Sequence, residues 1–132
     1  MSQPRRYWPR IELMGVFGLL LAGVPMLAHH SVVGYYDVST QITLKGVVTK
    51  VEYTNPHAYV YLDVKDEKGS LEKWSIETDS PSVLSRTGWK RTTLKEGDGI
   101  SATGFPAKDH TKSIRLQKLV MADGTQLHGG NS

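Results

Sequence analysis

The sequence contains no cysteine among its 132 residues. This absence excludes disulfide bonds, thiolate metal ligands, a cysteine nucleophile and covalent attachment of a c-type haem. The Walker phosphate-binding sequence, the Gly-x-Gly-x-x-Gly dinucleotide fingerprint and the Gly-x-Ser-x-Gly pattern of many hydrolases are also missing. Acidic residues such as Glu52, Asp63, Glu72 and Glu77 are scattered along the predicted strands, as on a solvated face. We therefore expect a protein that is held together by packing and is not an enzyme.

The basic charge of the chain is concentrated at its amino terminus. The formal net charge is +3, and residues 1–28 carry three of the 16 basic residues but only one of the 13 acidic residues. The remaining 104 residues therefore have a formal net charge of +1. A strongly basic domain would indicate nucleic acid or an anionic membrane as the partner. The near-neutral remainder gives no such indication, so we expect no nucleic-acid partner.

Residues 1–28 have the pattern of a secretory signal peptide. Three arginines lie within the first ten residues, the apolar run Leu13–Val24 follows, and Ala28 offers a cleavage position. This run is shorter than the roughly 20 apolar residues of a membrane-spanning helix. We predict a periplasmic or secreted protein with no stable membrane insertion after cleavage. Because Met26 stands where a small residue is expected, an uncleaved anchor is the alternative.

Residues 42–127 form the predicted folded domain, between a leader at residues 29–41 and a flexible, glycine-rich tail at residues 128–132. Alternating apolar side chains predict strands. The predicted strands are Ile42–Tyr53, Ala58–Val64, Leu71–Glu77, Ile100–Phe105 and Ser113–Met121. In the first strand the alternation changes phase at Gly46, which indicates a bulge or sharp bend there.

One short helix is predicted between the third and fourth strands, with Ser80 as its cap, Pro81 at its first position and Gly88 after its end. A long bent strand followed by this order of elements is typical of the OB-fold, a five-stranded Greek-key barrel. We therefore predict a mainly β protein with a small OB-like barrel. A small open β-sandwich is the alternative, because it has nearly the same order of elements.

A set of short motifs extends from the predicted cleavage site to the end of the fourth strand. They are Ala28-His29-His30-Ser31, Tyr36-Asp37, Gly46-Val47-Val48, Asn55-Pro56-His57-Ala58, Trp74-Ser75-Ile76-Glu77, Leu84, Arg86-Thr87-Gly88-Trp89, Gly97-Asp98 and Gly104-Phe105-Pro106-Ala107-Lys108-Asp109. Together they resemble the bacterial exported domain of unknown function family 6152. The resemblance implies a small envelope protein without an assigned activity. Two positions depart from the family pattern: Tyr53 replaces a frequent tryptophan, and His110 replaces a frequent glycine.

Three histidines are candidate metal ligands. Cleavage after Ala28 makes His29 the first residue, so that its α-amine and its ring nitrogen can chelate one Cu(II) ion. His30 or His57 could supply a third nitrogen if the fold brings it to the amino terminus. Alternatively, His29 and His30 are an exposed polar leader, and His57 hydrogen-bonds to fix the Asn55-Pro56 turn.

Tyr59 and Tyr61 are the candidate ligand-binding residues. They point outward if Val60 and Leu62 face the core, and their strand belongs to the usual binding face of an OB-fold. Exposed aromatic rings can stack on sugars, bases or protein side chains. We therefore predict a binding module for an envelope protein, a peptide or a glycan, with copper binding as the alternative function. Packing of the tyrosines against neighbours such as Lys73 is an equal alternative for their role.

Overall fold

A computed structural model of the protein describes residues 32–130. It contains a short helix at residues 32–35 (α1), a second helix between the third and fourth strands (α2), and six strands. The bounds are β1 Ile42–Glu52, β2 Tyr59–Lys65, β3 Leu71–Glu77, α2 Pro81–Arg86, β4 Gly99–Pro106, β5 Ser113–Met121 and β6 Gln126–His128. Among the described residues, no helix has the length and hydropathy needed to cross a membrane.

The first five strands close into a barrel. Antiparallel pairing gives the order β3-β2-β1-β4-β5-β6, and a parallel pairing between β3 and β5 joins the two sides. Strand β1 pairs with β2 along one edge and with β4 along the other, so it belongs to both halves of the sheet. The predicted five-stranded OB-like barrel is confirmed. The open sandwich is excluded because the β3–β5 pairing closes the sheet.

The bend in β1 lies further along the chain than the sequence predicts. The β1–β2 register shifts between Val48 and Lys50, so the bulge is there and not at Gly46. Position 46 requires a residue without a side chain, because a Cβ there would lie 2.5 Å from the backbone oxygen of Asp63. The phase change at Gly46 therefore marks a close approach of β1 to β2, and the bulge follows it.

The barrel interior is filled by apolar side chains from all five strands and from the segment that contains α2. Val60 and Leu62 are fully buried, as the alternation of β2 predicts, and Ile76 of β3 lies beside them. The other core residues are Leu44, Val48, Ala58, Leu84, Trp89, Leu94, Ile100, Ala102, Ile114, Leu116, Leu119 and Leu127. Each fully buried aliphatic side chain of this kind contributes about 1.5–3 kcal/mol, which offsets the absence of disulfide bonds.

Helix α2 has the predicted boundaries. The Ser80 hydroxyl accepts a hydrogen bond from the backbone N–H of Val83, and Pro81 begins the helix. Leu84 is its buried residue, and Gly88 follows with a φ of 97°, in the left-handed region that glycine adopts without strain. Through Leu84 the helix packs against the core of the barrel.

A sixth strand extends the sheet beyond the predicted elements. Strand β6 pairs with β5 and buries Leu127, and the backbone oxygen of His128 accepts a hydrogen bond from the Trp89 indole at 2.7 Å. The backbone oxygen of Gly129 accepts a further bond from the N–H of Asp79 at 2.7 Å. Residues 128–130, which the sequence analysis assigns to a flexible tail, are thus joined to the barrel.

His110 has a φ of 62°, a left-handed conformation that is uncommon for residues other than glycine. A residue other than glycine at this position therefore has a conformational cost. We expect His110→Gly to raise the free energy of unfolding by about 0.5–1 kcal/mol, because the left-handed penalty exceeds the added chain entropy of glycine. Urea denaturation measures this change. Glu96→Gly, at a turn residue whose own φ is not positive, is the control and should lower stability instead.

Candidate functional site

A cavity of about 330 Å³ opens on the barrel surface near the amino-terminal end of the described chain. Its walls come from α1, from the start of β2, from the end of β3 and from the loop before β5. The side chains lining it are those of Val32, Tyr35, Tyr36, His57, Tyr59, Glu77, Ala107, Asp109, Thr111 and Ser113. We call it the His57 cavity.

The Glu77 carboxylate is the centre of the hydrogen bonds around this cavity. Its Oε2 accepts a bond from the Tyr36 hydroxyl at 2.5 Å, and its Oε1 lies 2.6 Å from Nδ1 of His57. Nη1 of Arg115 donates to the same Oε1 at 3.5 Å. Only 15% of the Glu77 side chain is exposed. A carboxylate removed from water in this way needs such donors, because burying an unpaired charge is costly.

Strand register explains why these residues meet. The Asp66–Gly69 turn joins β2 to β3 in a register that places Tyr59 opposite Glu77. His57 comes just before β2, at the same end of the hairpin. Tyr36 arrives from another part of the chain, since an isolated bridge pairs it with Ala107. The cavity is therefore formed where the end of the β2–β3 hairpin meets α1, Tyr36 and the loop before β5.

Arg115 supports the cavity from the barrel side. It is 9% exposed, and its Nη1 donates to the backbone oxygen of Thr78 at 2.6 Å while Nη2 pairs with the Asp79 carboxylate. With its contact to Glu77, the guanidinium links the ends of β3 and β5 where the barrel closes. A planar guanidinium with five donors suits this role better than a lysine ammonium.

A phenol hydroxyl and two carboxylates are among the polar groups that line the His57 cavity. Burial, and to a smaller degree the bond to Glu77, raises the pKa of Tyr36 far above its ordinary value, so its hydroxyl remains a donor. Hydrogen bonds from the hydroxyl and backbone N–H of Thr111 lower the pKa of Asp109, which stays ionised. Among the described residues that line the cavity there are two carboxylates and no lysine or arginine.

Tyr59 and Tyr61 stack on each other, with ring centroids 6.4 Å apart and an angle of 27° between the rings. Tyr59 lines the His57 cavity, whereas Tyr61 lines a second cavity of about 520 Å³ with Trp74 and the lysines at positions 50, 73 and 112. The Lys50 ammonium lies 5.8 Å from the centre of the Tyr61 ring, while Lys73 pairs with Asp63. The tyrosine pair is thus a partly exposed aromatic ridge between two cavities.

The predicted metal ligands are only partly within the described chain. His29 and His30 lie outside it, and His57 lines the cavity, where its ring bonds Glu77 and not the Asn55-Pro56 turn. That turn is tied by the Thr54 hydroxyl, which donates to the backbone oxygen of His57 at 3.0 Å. Within residues 32–130, no three histidine, aspartate or glutamate side chains are grouped to hold a metal ion.

Glu77 and Tyr36 are the site residues that sequence reasoning missed. The expectation that Glu77 lies on a solvated face was wrong, because its carboxylate is largely buried. The Asp66–Gly69 turn is the sequence signal that could have identified Glu77. Pairing the residues of the two strands outward from that turn places Glu77 beside Tyr59 and near His57. Tyr36 had no such signal, since Ala107, with which it forms an isolated bridge, lies about 70 residues further along the chain.

The fold and the site define a small closed β-barrel protein with a carboxylate-lined cavity at one end of its β2–β3 hairpin. The family of unknown function DUF6152 matches residues 18–115, and the chain belongs to this family. The resemblance identified from the sequence motifs is therefore confirmed at the level of the family. No curated protein matches the chain.

Proposed function

We propose that this protein is an exported, non-enzymatic binding module for an envelope protein, a peptide or a glycan. The observation that carries the proposal is the stacked pair of Tyr59 and Tyr61, which lies between two cavities on the barrel face. A ligand that spans both cavities would cover both rings. Export is supported by the arginines, the short apolar run and Ala28 at the start of the sequence.

Replacement of both tyrosines by serine tests this proposal. We expect Tyr59→Ser with Tyr61→Ser to reduce retention of envelope proteins or soluble peptidoglycan fragments by about tenfold or more, because each aromatic contact contributes about 0.5–1.5 kcal/mol beyond its buried area. The measurement compares ligands retained by immobilised wild-type and variant proteins. Leu71→Ser is the control, since Leu71 is exposed on β3 and lines neither cavity. Unchanged retention by a folded double variant would contradict the proposal.

Copper binding through His29, with His30 or His57, is the second candidate function. The observation that favours it is that Val32, the first described residue, lines the same cavity as His57. Three residues of extended chain span at most about 10 Å, so His29 is within reach of this cavity. The two carboxylates at the cavity favour a cation, and neutral imidazole is a ligand that suits copper.

The two candidates differ in one respect that can be measured. A terminal chelate requires His29 to be the first residue, because only a free α-amine can bind the metal with the ring. The tyrosine pair has no such requirement. Copper binding should therefore depend on the first residue of the mature protein, and partner binding should not.

A further inference from the structure

We infer that the second cavity, which Tyr61 and Trp74 line, is a binding site for a carboxylate-bearing sugar of an acidic glycan. This inference rests on the proposed function and names the class of ligand that one of the two cavities takes. It depends on side chains of the described chain: two aromatic rings, the two carboxylates that hold them and the lysines beside them.

The two aromatic rings of this cavity are each held by a neighbouring carboxylate. The Tyr61 hydroxyl donates to Oε2 of Glu52 at 3.0 Å. In the same way, the indole N–H of Trp74 donates to Oε2 of Glu72 at 3.2 Å. Because their polar atoms are already bonded, the rings present apolar surface to a ligand, and their orientation is set before the ligand binds.

A lysine accompanies each ring through the same carboxylate. Lys50 pairs with Glu52, and its ammonium lies 5.8 Å from the centre of the Tyr61 ring. Lys112 donates to Glu72. An ammonium has three donors, so one partner leaves the others for a ligand. The side chains of Lys50 and Lys112 are 62% and 48% exposed, and these donors can therefore be reached from solvent.

The charged side chains that line the second cavity are all cationic. They are the lysines at positions 50, 73 and 112, and the carboxylates with which these lysines pair are not part of the lining. Glu52 raises the pKa of Lys50, which stays protonated. Exposed ion pairs of this kind are weak, so a ligand carboxylate can share the lysines with their present partners. The lining therefore suits an anionic ligand.

The combination of rings and cations favours a sugar acid over other anions. The C–H face of a sugar ring can pack on an aromatic ring while its carboxylate accepts from the lysines. Thr49 and Ser75 add hydroxyls to the lining, and a hydroxyl can both donate to and accept from the hydroxyls of a sugar. The cavity volume of about 520 Å³ is within the range of small-ligand sites.

Calorimetric titration with a short oligogalacturonate tests the ligand class. We expect the acid to bind at least about tenfold more tightly than its methyl ester, which has the same sugar rings and no charge, because losing a hydrogen bond between charged groups weakens binding by about that factor. We also expect it to bind more tightly than a glutamate peptide of equal charge. If the acid does not bind, or if the ester or the peptide binds as tightly, the inference is wrong.

Two double variants separate this cavity from the rest of the surface. Lys50→Gln with Lys112→Gln should weaken binding of the acid by about tenfold or more, for the same reason. Lys45→Gln with Lys118→Gln is the matched control, since it removes the same charge from exposed positions that line neither cavity. Equal losses of affinity in the two variants would show a general attraction between charges and overturn the inference.

Failure of this inference differs from failure of the proposed function. If Lys50→Gln with Lys112→Gln binds the acid as the wild type does, while Tyr59→Ser with Tyr61→Ser loses retention of envelope proteins or peptidoglycan fragments, the inference is wrong and the proposed function stands. If the folded tyrosine variant keeps that retention, the proposed function itself is wrong.

Discussion

A single acetylated glycine added before His29 is expected to weaken Cu(II) binding by on the order of 100-fold, since no free amine then remains to close a short chelate ring with a histidine nitrogen. The copper-binding candidate requires the free α-amine and the ring of His29 to close one chelate on the metal. The acetylated extension has no free amine and leaves His29 with its ring nitrogen alone. Because the α-amine has a pKa near 8, a strongly binding metal displaces its proton at neutral pH.

The measurement is a competition titration of the two proteins against a copper chelator. A protein with one glycine added after Ser132 is the matched control, and its affinity should equal that of the wild type. Equal affinities for the wild type and the amino-terminal extension would show that the terminal chelate does not exist. The mass of the mature chain, measured beforehand, establishes whether His29 is its first residue.

Replacement of Arg115 by methionine is expected to lower the free energy of unfolding by about 3–5 kcal/mol, the cost of breaking a buried ion pair by removing one partner. The variant keeps much of the apolar length of the side chain. It leaves the Asp79 and Glu77 carboxylates without their guanidinium and the Thr78 carbonyl without its donor. Urea denaturation followed by tryptophan fluorescence gives the change in stability.

Lys112→Met is the matched control for this prediction. Lys112 also pairs with a carboxylate, that of Glu72, but 48% of its side chain is exposed. An exposed ion pair contributes about 0–1 kcal/mol, so this variant should unfold at nearly the wild-type urea concentration. Equal losses in the two variants would mean that the position of Arg115 at the closure of the barrel has no special importance.

Local patterns in the sequence were sufficient to predict the strands and the helix that build the barrel. The alternation of β2, the cap at Ser80 and the stop at Gly88 each depend on residues close together in the chain. Strand β6 was missed because it has only three residues and a single buried side chain, Leu127. The bulge was predicted at the wrong residue because glycine is needed at position 46 for the close approach to Asp63. The alternation of side chains in β1 alone does not reveal that contact.

The candidate site could be predicted only in part, for a related reason. His57 and the tyrosine pair were found because residue type and strand parity are local properties. The partner of His57 was not found, since Glu77 lies across a hairpin, and neither was Tyr36, 41 positions from Glu77. Chemistry that depends on two distant segments requires the pairing of strands to be known, and that pairing is set by the whole barrel.

The cavity side chains come from segments that are far apart in the chain, with 77 positions between Tyr36 and Ser113. An unfolded chain does not hold these groups together, so a ligand of the cavity binds the native state alone. By mass action, such a ligand at about 100 times its Kd adds about 2.7 kcal/mol to the free energy of unfolding. A rise in the melting temperature of the barrel therefore reports occupancy of the cavity, and amines, peptides and glycans can be ranked by this one measurement.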